Sequence, residues 1–298
     1  MSEVGLSSDE AASGGPMATV GARLHTWWRM LIICLEERLA YRTDFALGTL
    51  MRFLPIVTQI FLWTAVFAAA NRSDIAGYSR DNIIAYYLLT MITRAFSSMP
   101  GLSSSIARSI RDGSVKKYLI QPVDYVGFLL AARVAHKLVY YVVAILPFGL
   151  VFFLCRHYFP PAPDGLTIAA YLLSLVLSFL LGFFLEATLG MIGFWFLEVS
   201  SVIFTYMLFQ YLLSGHMFPL DMLAGVPTGL AGVNLADVVR WLPFQYTAYF
   251  PASVWLGKVQ GWDLVGGLLL EVVWLAVAIL ACRLAWRRGT RRYSGFGG

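Results

Sequence analysis

The stretch LTIAAYLLSLVLSFLLGFFL, residues 166–185, runs for twenty residues without a charge. The hydrocarbon core of a bilayer, about 30 Å thick, needs roughly 20 helical residues to cross it. The stretch reads as a membrane span. Working outward, the same apolar character recurs along most of the chain: 59% of its 298 residues are hydrophobic, 13% are charged, and the mean hydropathy is +0.70. Soluble domains average about half apolar and a quarter charged, so the class is integral membrane. Alternating strand-like stretches of about ten residues are missing, which excludes a barrel. The fold class is all-α: a polytopic membrane helical bundle with six transmembrane helices, an N-terminal interfacial helix and outer re-entrant helices.

Residues 1–20 are small, polar and glycine-rich, lack the features of a signal peptide, and are expected to be a disordered tail. Across 21–44, Leu24, Trp27, Trp28, Leu31, Leu35 and Leu39 recur near helical period among charges, predicting an amphipathic helix lying in the membrane interface. The transmembrane region covers 45–286. Its predicted spans run from Phe45 to Ala70, Ile83 to Met99, Leu138 to Cys155 with Pro147 as a kink, Leu166 to Leu185, Met191 to Leu213, and Leu264 to Trp286. Residues 214–261 mix aromatics and aliphatics with Pro219, Pro227, Pro243 and Pro251, predicting short re-entrant helices on the outer side that must be buried in protein. A basic cytoplasmic tail, 287–298, closes the chain.

Orientation follows from the basic residues. With the amino terminus inside, 16 of the 22 Lys and Arg are cytoplasmic, Arg94 lies within a span, and Arg72, Arg80, Arg156, Arg240 and Lys258 are outside. The positive-inside rule therefore places both termini in the cytoplasm. One concentration lies between Pro100 and Lys137, where Arg108, Arg111, Lys116, Lys117, Arg133 and Lys137 face only Asp112 and Asp124. Within it, Leu102, Ile106 and Ile110 at i, i+4 and i+8 define a short amphipathic helix that Ser103–Ser105 can cap and Gly113 can end. Basic residues beside apolar spans meet anionic membrane lipids rather than nucleic acid, which is not expected as a partner.

Soluble-type catalysis has no candidate cluster. The nearest approach to a phosphate loop, Gly257-Lys258, has Ala252 where the first glycine is required. Cys34, Cys155 and Cys282 are far apart, and His25, His136, His157 and His216 lack ligand spacing, so no metal is expected.

An amphipathic N-terminal helix, six spans, a basic loop helix between spans two and three ending near Gln121-Pro122-Val123-Asp124, and a proline-rich outer segment follow one another in order. In this order, with GHMFPLDML (Gly215 to Leu223) and LPFQYTAYFP (Leu242 to Pro251), the chain resembles the membrane subunits of ABC-2 type exporters. The resemblance covers residues 23 to 290 and extends to compact permeases annotated for drug or antibiotic export. It implies a permease subunit in the cell membrane, typically the bacterial inner membrane, paired with a second identical or related copy. It also implies a dimeric ATPase partner that binds ATP and magnesium, the permease itself being no enzyme and carrying no cofactor. Leu102, Ile106 and Ile110 would supply a ridge to that ATPase, with Arg108, Arg111, Lys116 and Lys117 beside it.

Charged and aromatic residues supply the remaining candidates. Arg94 and Glu186 within spans should face protein, a water path or the interface, and with Phe218 and Tyr246 of the outer segment they form the predicted path or gate set. Ser174, Ser178, Gly182 and Gly190 make a small-residue stripe suited to close helix packing. Two rival functions remain open: a membrane-embedded transferase acting on lipid-linked substrates through Glu186, Glu198, Asp221 or Asp237, and an ion-coupled transporter, for which internal repeats are missing.

Overall fold

The computed structural model describes residues 54–121, 123–196, 198–224, 227 and 234–293, together with 25, 28–29 and 32–33. The tail 1–20, most of the interfacial helix 21–44 and the start of the first span lie outside the described residues. The chain divides into two units, residues 1–46 with 123–143, and residues 47–122 with 144–298. The first contributes the leading part of one long helix and, at positions 25, 28–29 and 32–33, helical residues. The second holds the core.

That core begins with α1, Leu54–Ala70, and a hairpin of β1, Asp74–Ile75, and β2, Tyr78–Ser79. Helix α2, Arg80–Ser97, is capped by Ser79, whose hydroxyl accepts from the Asn82 amide. Then come α3, Leu102–Arg111, and α4, Lys116–Ile120. Helix α5 spans Tyr125–Leu154 and crosses the unit boundary. Its two parts, Tyr125–Val142 and Ala144–Leu154, meet at residue 143. Pro147 explains that position, because it has no N–H to give the carbonyl four residues earlier and its ring crowds that carbonyl.

Helix α6, Gly165–Met191, runs on through a 3-10 turn to Phe194. Its extent corrects two expected boundaries. The fourth span was expected to stop before Glu186, but the helix continues through it; the fifth was expected from Met191, but α7 occupies only Ser200–Leu213. Apolar residues continue through Ile192, Phe194, Trp195 and Phe196, so hydropathy alone hides the break. The outer segment follows as a 3-10 turn Leu220–Leu223, α8 Leu235–Trp241, a 3-10 turn Pro243–Thr247 and α9 Tyr249–Trp255, before α10, Gly261–Arg292. The prolines sit where helices tolerate them: Pro219 precedes one turn, Pro243 opens another and Pro251 lies in the first turn of α9.

Among the described residues, two helices are long and apolar enough to cross a bilayer, α6 with its 3-10 extension and α10, and α5 makes a third when its parts are taken together. At 1.5 Å per residue the first two reach roughly 45 Å, past the ~30 Å hydrocarbon core. Helices α1 and α7 are shorter apolar helices, and α2 carries Arg80, Asp81 and Arg94. The architecture is a helical membrane bundle in which α6 is central, packed against α2, α3, α9 and α10. The predicted small-residue stripe is what permits this. A Cβ on Gly182 would stand 2.2 Å from the Ser97 carbonyl oxygen, and one on Gly190 would stand 2.7 Å from that of Ser103.

Candidate functional site

Helix α3 forms where the chain predicts it, but its start differs. Gly101 at φ 70° is the N-cap and no side chain caps the helix; Ser105 instead donates to the Leu102 carbonyl. The end is as expected: Gly113 takes φ 79°, the left-handed conformation that favours glycine after a helix. Asp112 beside it accepts from the Ser114 amide at 3.0 Å. Those Ser114 donors, with Arg108 and Arg111 as smaller contributors, hold the Asp112 carboxyl below the usual range.

The expected partner-facing ridge points the other way. Leu102, Ile106 and Ile110 are 1%, 1% and 3% exposed, and with Ser103 and Ala107 they form the buried face of α3. That face lies on α6 and its extension: Ile106 Cβ crowds Gly190, and Ala107 crowds Gly193. Ser103 donates to Glu186 Oε2 at 3.1 Å. A small-residue seat on α6 offers closer packing than solvent, so the apolar face is used within the chain. The exposed face carries Ser104, Ser105, Arg108 and Arg111, continued by Lys116, Lys117, Leu119 and Ile120 on α4. This is a cationic platform with an apolar margin, resting on α6.

Two further contacts steady the platform. Arg111 approaches Glu198 at 3.5 Å, a pair more than half exposed on both sides and so screened by water and salt. Tyr293, after α10, donates to the Ile110 carbonyl at 3.2 Å, while its ring meets Phe194, which also meets Trp286.

At the other end, Asp221 organises the outer segment. Its carboxylate accepts from Tyr78 at 2.6 Å and Tyr249 at 2.8 Å, and it pairs with Arg240. Burial, then the Asp221 charge, pushes the Tyr78 hydroxyl well above its ordinary range. Lys258 lies 4.1 Å from the Tyr78 ring and donates to the Gly77 carbonyl. Tyr86 donates to the Gly215 carbonyl, Tyr87 to that of Met217 and Ser97 to that of Thr247, so α2 serves the backbone of the segment along its length. Residues 249–254 of α9 are buried. The short helices expected in this segment are present, α9 buried and α8 burying only Ala236 and Val239.

The predicted path set separates. Arg94 is exposed, its guanidinium 5.6 Å from the centre of the Tyr211 ring. Phe218 is half-buried. Glu186 is 5% exposed and accepts from Ser103 at the seat of α3. Tyr246 is 1% exposed and packs on Phe250. Sequence reasoning also passed over Glu271, a wholly buried acid in α10, although a lone carboxyl in an apolar run was visible.

The family model described as "ABC-2 family transporter protein" matches residues 53–297, nearly the whole chain beyond its N-terminal region. The chain belongs to the ABC-2 transporter family. No curated protein matches it. As an ABC-2 protein it is the membrane, or permease, component of an ABC transporter, and its apolar helices place it in a membrane. The acids that a transferase would use are dispersed in this ABC-2 fold. Glu186 binds Ser103, Glu198 lies near Arg111, Asp221 anchors the outer segment, and Asp237 caps α8 together with Asn234.

Proposed function

We propose that this ABC-2 protein is the permease subunit of an ATP-driven exporter. Two copies, or one copy and a related chain, form the path, and a separate ATPase dimer supplies ATP hydrolysis with its own magnesium. This chain is then no enzyme and holds no cofactor. The observation that carries the proposal is the platform: an exposed basic surface of α3, continued by α4, with the buried face of α3 pressed directly onto α6, itself packed against α2, α9 and α10. A push on such a surface passes to the bundle through backbone-close contacts instead of through a flexible loop. The contact with the ATPase is assigned to Arg108, Arg111, Lys116, Lys117, Leu119 and Ile120, with Leu102, Ile106 and Ile110 as its foundation. Arg94 is the accessible member of the path set. The permease sits in the bacterial inner membrane with six spans and both termini in the cytoplasm, its basic residues meeting anionic lipids.

Two results test this. Charge reversal at Arg108, Arg111, Lys116 and Lys117 leaves the buried face intact, so it should preserve folding while reducing co-purified ATPase activity at least tenfold, with a steep salt dependence in the unaltered protein. Equal co-purification from the reversed protein would remove the platform from the interface. For orientation, Ser73, Ala162 and Ser114 are all exposed. Single cysteines at Ser73 and Ala162 should react with an impermeant maleimide in intact cells, and one at Ser114 should not; the opposite pattern inverts the topology.

A further inference from the structure

Glu271 stands ten residues into α10 from Gly261, and none of it reaches solvent. Ser174 of α6 donates to its Oε2 at 2.8 Å. Its Oε1, equally shielded, has no hydrogen-bond partner among the described residues. Ser178, one turn beyond Ser174 on the same side of α6, is also wholly buried with an unpartnered hydroxyl. Among the described residues that pack on α10, the surroundings are neutral. Helix α6 and the turns 192–194 and 243–247 pack on α10 and contain no Lys, Arg or His. Their titratable residues are Tyr171, Tyr246 and Glu186. Tyr246 lies within electrostatic reach of Glu271, and Glu186 is engaged by Ser103. Phe250 brings in α9, which carries Tyr249, and the Trp241 carbonyl accepts from Trp274 at the end of α8, whose Arg240 is committed to Asp221.

Among the described residues, an ionised carboxyl here would be a buried charge with a single hydrogen bond and no cation, the combination that costs most in an apolar interior. We propose that Glu271 is an intramembrane proton site, its carboxyl held as the neutral acid in the seam between α6 and α10. Oε2 is the carbonyl oxygen that accepts from Ser174, and Oε1 carries the proton, an unpaired neutral O–H costing less in this seam than an unpaired carboxylate oxygen. The neutral acid then ties α6 to α10 by a hydrogen bond inside the membrane. The proton is held while the seam is closed to water, and opening the seam during transport would release it. This inference does not depend on the ATPase reading.

Infrared difference spectroscopy of the full-length protein in lipid nanodiscs at neutral pH tests it. Subtracting Glu271→Gln from the unaltered protein should leave a protonated-carboxyl C=O stretch that shifts down in D2O, and Ser174→Ala should move that band to higher wavenumber by removing its donor. Because Gln is a neutral replacement of the same shape, Glu271→Gln should also keep the melting temperature and elution profile of the unaltered protein. A carboxylate band in place of the C=O band, or a Gln variant that fails to fold, would overturn the proposal.

Discussion

Gly190→Leu should lift α3 from its seat and abolish ATP-driven transport. Any Cβ at this position meets the Ser103 carbonyl oxygen at 2.7 Å, Ile106 Cβ at 2.8 Å and Ser103 Cα at 3.0 Å. Two of those atoms are backbone, so no rotamer change relieves the contact. Overpacking a well-filled site costs about 1–3 kcal/mol when side chains can yield, and here the upper end is expected. The displaced helix also separates Ser103 from Glu186, breaking a hydrogen bond to a buried carboxyl. Thermal unfolding in detergent should show a lower midpoint, and protease cleavage within 101–121 should accelerate. A Gly190→Leu protein with unchanged melting and unchanged transport would show that α3 is not seated on α6.

Asp221→Ala should loosen the outer segment while leaving the platform in place. The substitution removes the acceptor of Tyr78 and Tyr249 and the partner of Arg240 in one step. Breaking a buried pair costs about 3–5 kcal/mol, but Arg240 keeps 38% of its side chain exposed, so about 2–3 kcal/mol is expected here. Asp221→Asn retains an acceptor oxygen and should lose less. The measurement is thermal unfolding of both variants, combined with maleimide labelling of a cysteine at Ser253, which is wholly buried in α9. Labelling should rise for Asp221→Ala and remain low for Gly190→Leu, because the two sites lie at opposite ends of α6. Labelling unchanged by Asp221→Ala would mean that the segment is held by its apolar contacts alone.

These two effects mark the limits of what the chain reveals by itself. The uncharged run 166–185 and the apolar residues after Leu264 identify membrane helices, because length and composition are local properties. Gly113 and the prolines at 219, 243 and 251 are equally legible, since each acts on its own backbone. The direction of a face is a different kind of fact. Leu102, Ile106 and Ile110 give the same i, i+4, i+8 signal whether they meet another protein or their own α6, and only the missing side chains at Gly190 and Gly193, more than eighty residues away, decide between them. Asp221 was similarly illegible as an anchor, because Tyr78, Arg240 and Tyr249 come from three separate parts of the chain. Glu186 misled in the opposite sense: a charge suggested the end of a span, whereas the acid is buried within a helix that continues.

The most direct measurement is crosslinking from the platform in native membranes. Ser105 is exposed on the outer face of α3, between the seat and Arg108. A cysteine there, coupled to a short photoreactive group and activated in membranes, should yield a crosslinked polypeptide whose sequence contains a G-x-x-x-x-G-K-[ST] phosphate loop. The same group at Ser73, before the other end of α2, should not. Recovery of such an ATPase from Ser105 alone is the predicted result; equal recovery from both positions, or from neither, would contradict the account of this ABC-2 protein as a permease driven through its α3–α4 platform.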